Sequence, residues 1–168
     1  MNSYLERLRE SVEEAIRGAT AEELMRHPEG KWSAAETLEH LFLTYSGTVK
    51  GFQRCLEAEA PLATSSHWRQ RLFRAVVVGA GYMPSGREAP KIAHPRGTPV
   101  DRVLAEIGPQ IAAMDEVIAN CEKRYGSKTK LLDHPILGPL TAHQWRKFHW
   151  VHGRHHLKQL CNLRRNTG

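Results

Sequence analysis

The chain is poor in cysteine: 168 residues carry three, Cys55, Cys121 and Cys161. The count is odd and no two form a Cys-x-x-Cys pair, so a disulfide framework is not expected. Free thiols suit a reducing cytoplasm. Long apolar runs are missing too, and none approaches the length that spans a bilayer. The first residues, Met1-Asn-Ser-Tyr-Leu-Glu-Arg7, lack the apolar core of a signal segment. The expectation is a cytoplasmic protein with no membrane partner. The chain also lacks a clear alternating strand pattern, an internal repeat and a low-complexity tract. Aromatics are few, at 7%.

Acidic charge is outweighed but no dense basic tract results. The formal charge is +6, with the excess scattered over Arg69, Arg71, Arg74, Arg164 and Arg165. That reads as a solvated basic surface, and nucleic acid is not expected as a partner. Length and the ordinary hydrophobic share of 40% fit one domain over residues 1–168. A domain of this size buries roughly 70% of its unfolded surface, enough to fold without staples.

What is present is helix signal. Leu5, Leu8, Val12 and Ile16 recur at helical spacing until Gly18. Thr20-Ala-Glu-Glu23 and Ser33-Ala-Ala-Glu36 are capping boxes, in which hydroxyl and carboxylate satisfy orphan amides. The second opens a long helix to about residue 59, with Leu38, Leu41, Phe42, Tyr45, Val49, Phe52 and Leu56 as its apolar stripe. His27-Pro28-Glu29-Gly30 is the break before it. Residues 67–79 read as a helix, or, at Val76-Val77-Val78, as a short strand. Thr98-Pro99 starts a helix with proline in its first position, running to about Arg124 with a kink at Pro109. Residues 126–140 read as a loop. Thr141-Ala-His-Gln144 is a third capping box and opens the last helix, to about Leu163. Residues 80–97 hold Gly81, Pro84, Gly86, Pro90, Pro95 and Gly97. So long an irregular connection covers a site or is merely long. Four main helices predict an all-α four-helix bundle.

Histidine is abundant, with ten in the chain. In the last helix Trp145, Phe148, His149, His152, His156, Gln159 and Leu163 fall on one face, while Arg146, Lys147, Arg154 and Lys158 fall outside it. His152 and His156 are one turn apart, close enough to share a metal. The alternative is a pair of packed core histidines. The zincin motif is excluded, because Gly153 stands where its general-base glutamate must be. His149 reads as a core or supporting residue, and His155 lies at the edge of the face. His27, His67, His94, His134 and His143 read as surface or turn residues. A third ligand must come from another helix. His40 is the candidate inside the long second helix, yet it lies about 160° from Leu38 on ideal helical steps. It shares its face with Glu36, Leu43, Gly47 and Gly51. Either that face is solvated or the helix is buried on two sides. The glycines favour burial, because glycine inside a helix costs about 1 kcal/mol and needs a packing or access reason.

Three segments carry a family resemblance. Lys31-Trp-Ser-Ala-Ala-Glu-Thr-Leu-Glu-His40-Leu41 resembles the W-S-x-x-E-x-L-x-H-L opening of the DinB-like (YfiT-like) family. His152-Gly-Arg-His-His156-Leu-Lys-Gln159 resembles that family's H-x-x-H-H-x-x-Q closing helix. His134-Pro-Ile-Leu-Gly-Pro-Leu-Thr-Ala-His-Gln-Trp-Arg-Lys-Phe148 resembles a subgroup of it. The resemblance is weak over residues 60–97. It implies a bundle of up-down-down-up topology and a three-histidine divalent-metal site with His40, His152 and His156 as ligands. His155 and Gln159 then support the ligands. Zinc or nickel is the expected ion, with iron, copper or manganese as the other candidates. Family members include thiol-dependent transferases and isomerases. The resemblance therefore implies a small-molecule substrate, a low-molecular-weight thiol partner and a homodimer. Hydrolysis is the other chemistry open to such a centre. A non-catalytic metal-binding or interaction bundle is the competing class. Glu36, one turn before His40, reads as the capping carboxylate or as a proton acceptor at the site.

Overall fold

In the computed structural model, residues 3–27, 30–84 and 89–165 are described. The expected break at Pro28 and Glu29, Gly86 of the long connection and the side chains of Arg164 and Arg165 lie outside what is described. Among the described residues the protein is all-α apart from one short hairpin. The four long helices are α1 (Ser3–Ile16), α3 (Ala34–Glu57), α5 (Val100–Tyr125) and α6 (Ala142–Arg165). Short α2 (Ala21–Met25) precedes α3, and α4 (Trp68–Arg74) follows it. α1 packs on α6 and α5, and α3 packs on α5 and α6.

The three capping boxes form and fix where helices start. Thr20 Oγ1 accepts the Glu23 amide while Glu23 accepts the Thr20 amide. Ser33 and Glu36 repeat this at α3, with the Ser33 amide 2.8 Å from Glu36 Oε2. Glu36 is thus the capping carboxylate. Thr141 and Gln144 do the same at α6. Gly18, at φ +67°, follows the end of α1 in a left-handed conformation that L side chains rarely adopt. Leu5, Leu8 and Val12 of α1 and Ile107, Ile111, Met114 and Ile118 of α5 face the core. These stripes recur three and four residues apart, as the helical period requires.

Four expectations need correction. Val76–Val78 is not a strand: α4 runs directly into a π-helical turn, Ala75–Gly79, against α6. The wider turn places adjacent Val77 and Val78 both in the core. Pro99 is the cap of α5, one residue before its first helical position. Residues 126–140 are more than a loop. Leu132–His134 (β1) and Gly138–Leu140 (β2) form an antiparallel hairpin, pairing Leu132 with Leu140 and Asp133 with Pro139. Strands of three residues, one with a central proline, are too short to show alternation. Finally, Arg146 lies off the histidine face but is not solvated. It is buried, with Nε 2.9 Å from Asp115 and Nη1 2.6 Å from Glu122 of α5. Two carboxylates on α5 offset the desolvation of the guanidinium and tie α6 to that helix.

The hairpin docks on α3. A Cβ at Gly51 would lie 2.6 Å from Leu132 Cδ2. Gly51 therefore has a packing reason for its place inside the helix. No helix among the described residues is long and apolar enough to cross a membrane.

Candidate metal centre

α3 brings His40 to the face of α6 that carries His152 and His156. His40 is buried although it lies off the aliphatic stripe, because α3 is covered on two sides. The stripe packs in the core, and the His40 face forms one wall of a cavity. His152 Nε2 lies 3.2 Å from His40 Nε2 and 3.1 Å from His156 Nε2. The three ring nitrogens all lie within 4.8 Å of one another.

Hydrogen bonds at the far side of two rings bear on which nitrogens carry protons. His40 Nδ1 is 2.8 Å from the Ala93 carbonyl, which only accepts, so Nδ1 donates and Nε2 is a bare lone pair. Gln159 presents Oε1 to His156 Nδ1 at 2.9 Å and its Nε2 to His155 Nε2 at 3.1 Å. With the Gln159 amide in this orientation His156 Nδ1 donates as well, which leaves its Nε2 as a second lone pair. Both point at His152 Nε2, which has at most one proton to give. One close pair of lone pairs stays unsatisfied unless a cation lies between them. Metal–imidazole bonds of about 2.0–2.1 Å would separate two ligand nitrogens by about 2.9 Å at octahedral angles and about 3.3 Å at tetrahedral ones. The observed 3.1 and 3.2 Å lie between these values. The donor set fits a divalent transition ion.

The imidazoles are held neutral, as ligands must be. Burial is the main cause of depression at each. At His40 it outweighs the opposing bond to Ala93, and His94 adds to it. His156 is pushed down to about 3 by burial, then by His40 and His155, against its bond to Gln159. His152 lies well below the usual range through burial and its histidine neighbours.

Glu39, beside His40 in sequence, was not singled out by any motif. Its buried carboxylate accepts the backbone amides of Arg96 at 3.0 Å, Gly97 at 3.2 Å and Thr98 at 3.0 Å, and the Thr98 hydroxyl. Burial raises its pKa, but these bonds together hold it below the ordinary value. They pin the segment that presents the Ala93 carbonyl to His40. The chain Glu39, loop, Ala93, His40 fixes a ring through its far nitrogen. Glu39→Gln puts an amide donor against those amides. It should weaken zinc binding 10–100-fold in competition with a chromogenic chelator, with full occupancy restored at high zinc. Unchanged affinity would remove Glu39 from this role.

Other histidines take different places. His149 is fully buried, and its Nε2 donates to Thr48 Oγ1 at 3.1 Å, because the Thr48 proton goes to the Thr44 carbonyl. Burial and His134 push it down to about 3. His134 stands at the hairpin turn, as expected, but is half-buried there. Its ring lies 4.3 Å from that of Phe148, and its Nδ1 accepts the amides of Ile136 and Leu137 inside the hairpin. Burial takes it down to about 4. His94 packs edge-on against Trp32, which also touches His40. His27 is exposed beside Glu36, His67 precedes α4, and His143 meets Tyr4.

The cavity has a volume of about 1060 Å³ and holds the three ligand candidates in its wall. Phe73, Val77, Met83, Ile136, Leu137 and Phe148 supply apolar lining. Ala89, Pro90 and Ile92 to His94 border it, so described residues of the long connection line this cavity. A model of a family described as "Protein of unknown function (DUF1569)" matches residues 5–163. No curated protein and no solved structure matches the chain.

Proposed function

The chain belongs to the DUF1569 family, and from its histidine cluster we propose that it is a metal-dependent enzyme using a divalent ion on His40, His152 and His156. The convergence of three Nε2 atoms, with the His40 tautomer fixed by a backbone carbonyl, carries this reading. An ion held there supplies Lewis acidity, lowering the pKa of a water or thiol at an open coordination position. Zinc or nickel suits an all-imidazole set best, with iron, copper or manganese as the other candidates. The pairing of α1 with α6 and of α3 with α5 supports a DinB-like four-helix bundle of up-down-down-up topology.

The chain's own residues give the site its bias. Glu39 and Gln159 orient two rings, and the apolar walls limit water. Asp133 is the one carboxylate among the described lining residues, and Thr64 holds it through both backbone and hydroxyl. Charge at the centre is therefore not balanced by a nearby acid, which favours an anionic ligand such as a thiolate. No cysteine is among the described lining residues. Such a thiolate would come from a separate low-molecular-weight thiol. Hydroxide would serve the same charge, so it is the DinB-like resemblance that sets thiol-dependent transfer ahead of hydrolysis.

The test is spectroscopic. Cobalt-substituted protein titrated with 2-mercaptoethanol should develop a sulfur-to-cobalt charge-transfer band, absent in His152→Ala. A protein that binds cobalt but shows no band rejects the thiol reading. Ester hydrolysis above the metal-free control would then favour a hydrolase. Its absence would favour a non-catalytic metal-binding bundle.

A further inference from the structure

Two glycines lie inside α3 on the His40 face, and only one has a packing partner. Gly51 sits under Leu132. Gly47 has nothing within 4 Å of where a Cβ would stand, and it lines the cavity. Its φ is not among the positive ones, so no turn requires it. A helix-interior glycine lowers helix stability, and with packing and conformation excluded, access is the remaining reason. Gly47 is two helical turns from His40 on the same face, about 10 Å along the axis. Between them the cavity is walled by Leu43 and Thr44 of α3. Phe73 and Val77 add apolar lining near the π turn, and Leu132 and Ile136 add it from the hairpin.

We propose that this cavity takes an amphipathic anion: its anionic head at the histidine cluster, its unbranched apolar tail along α3, with Gly47 keeping the tail's path open. The proposal deepens the metal reading and rests on it for the head group. The tail rests on Gly47 and the apolar walls alone. The charges agree. Lys31 and Arg54 line the cavity, and its one described carboxylate is occupied by Thr64. A chain of about eight carbons spans the distance from His40 to Gly47.

The experiment titrates zinc-loaded protein with straight-chain carboxylates from acetate to dodecanoate by calorimetry. Affinity should rise about fourfold per methylene up to about eight carbons, then level off. Gly47→Leu should bring the levelling to shorter chains while leaving acetate affinity and zinc content unchanged. That variant replaces a helix-interior glycine, and its Cβ meets no atom within 4 Å, so its fold is favoured. A flat chain-length series, or a Gly47→Leu series identical to the parent, overturns the proposal. The same series on metal-free protein, read by displacement of anilinonaphthalene sulfonate, separates the two readings. No zinc binding with the slope and its Gly47→Leu shift retained rejects the metal centre and supports the tail channel. Stoichiometric zinc with a flat slope rejects the channel and leaves the metal centre.

Discussion

His152→Ala is expected to abolish stoichiometric metal binding while leaving the helices folded. His152 Nε2 is the atom that both other ligand candidates approach, at 3.2 and 3.1 Å. Apparent zinc-binding free energies of about 10–16 kcal/mol for four-ligand sites imply about 2.5–4 kcal/mol per ligand. Losing one of three should therefore weaken binding by roughly 10²–10³. The fold should survive, because the lost ring was costly to bury. Its Nδ1 has no hydrogen-bond partner and its Nε2 faces two lone pairs. The cavity left by truncation opposes that gain. Plasma mass spectrometry after dialysis gives metal per chain, and circular dichroism gives the melting profile. His40→Ala should behave alike, because its Nε2 comes from a different helix and closes the site. A His152→Ala protein that keeps one tightly held ion would mean that the metal sits elsewhere. Loss of metal together with loss of helix would mean the ring is needed for packing instead.

How much of this was legible in the sequence differs from element to element. The capping boxes at Thr20, Ser33 and Thr141 could be read outright, because their chemistry is local and completes within three residues. The hairpin could not. Its strands are stabilised by docking Leu132 over Gly51 and by the His134 ring inside the turn, both outside any local pattern. The same holds for Val77 and Val78, whose adjacent burial needs a π turn against α6. Arg146 was placed off the histidine face, but its burial depends on Asp115 and Glu122 of another helix. Periodicity offered His152 and His156 as a pair. It left His40 between solvent and a second buried face, and a family resemblance tipped that choice. Glu39 escaped notice because its partners, Arg96 to Thr98, come from the irregular connection.

Lowering the pH should unfold the metal-free protein near about pH 5 and the zinc-loaded protein at a lower pH. An unfolded histidine takes up its proton near 6.5, whereas folded His134 does so at about 4 and His149 at about 3. His40, His152 and His156 are shifted the same way. Between those values the unfolded chain binds more protons than the folded one, so stability falls as pH falls. Each such group contributes a slope of about 1.4 kcal/mol per pH unit across its window. With several acting together, one or two pH units below 6.5 exhaust the 5–15 kcal/mol typical of a domain, about the whole margin. Glu39, held below its ordinary value, has the same sign in a lower window, its contribution lost as pH falls through its folded value. Zinc binds only the folded, deprotonated cluster, so it adds stability and competes with the same protons. Fluorescence of the four tryptophans against pH, with and without zinc, measures both midpoints. Zinc release should coincide with the loaded protein's transition. In His152→Ala the zinc-dependent shift should vanish while the acid transition persists, since His134 and His149 remain buried. Equal midpoints with and without zinc in the parent protein would count against the three-histidine site. A metal-free protein still folded at pH 3.5 would show that the buried imidazoles are not held neutral as their packing requires.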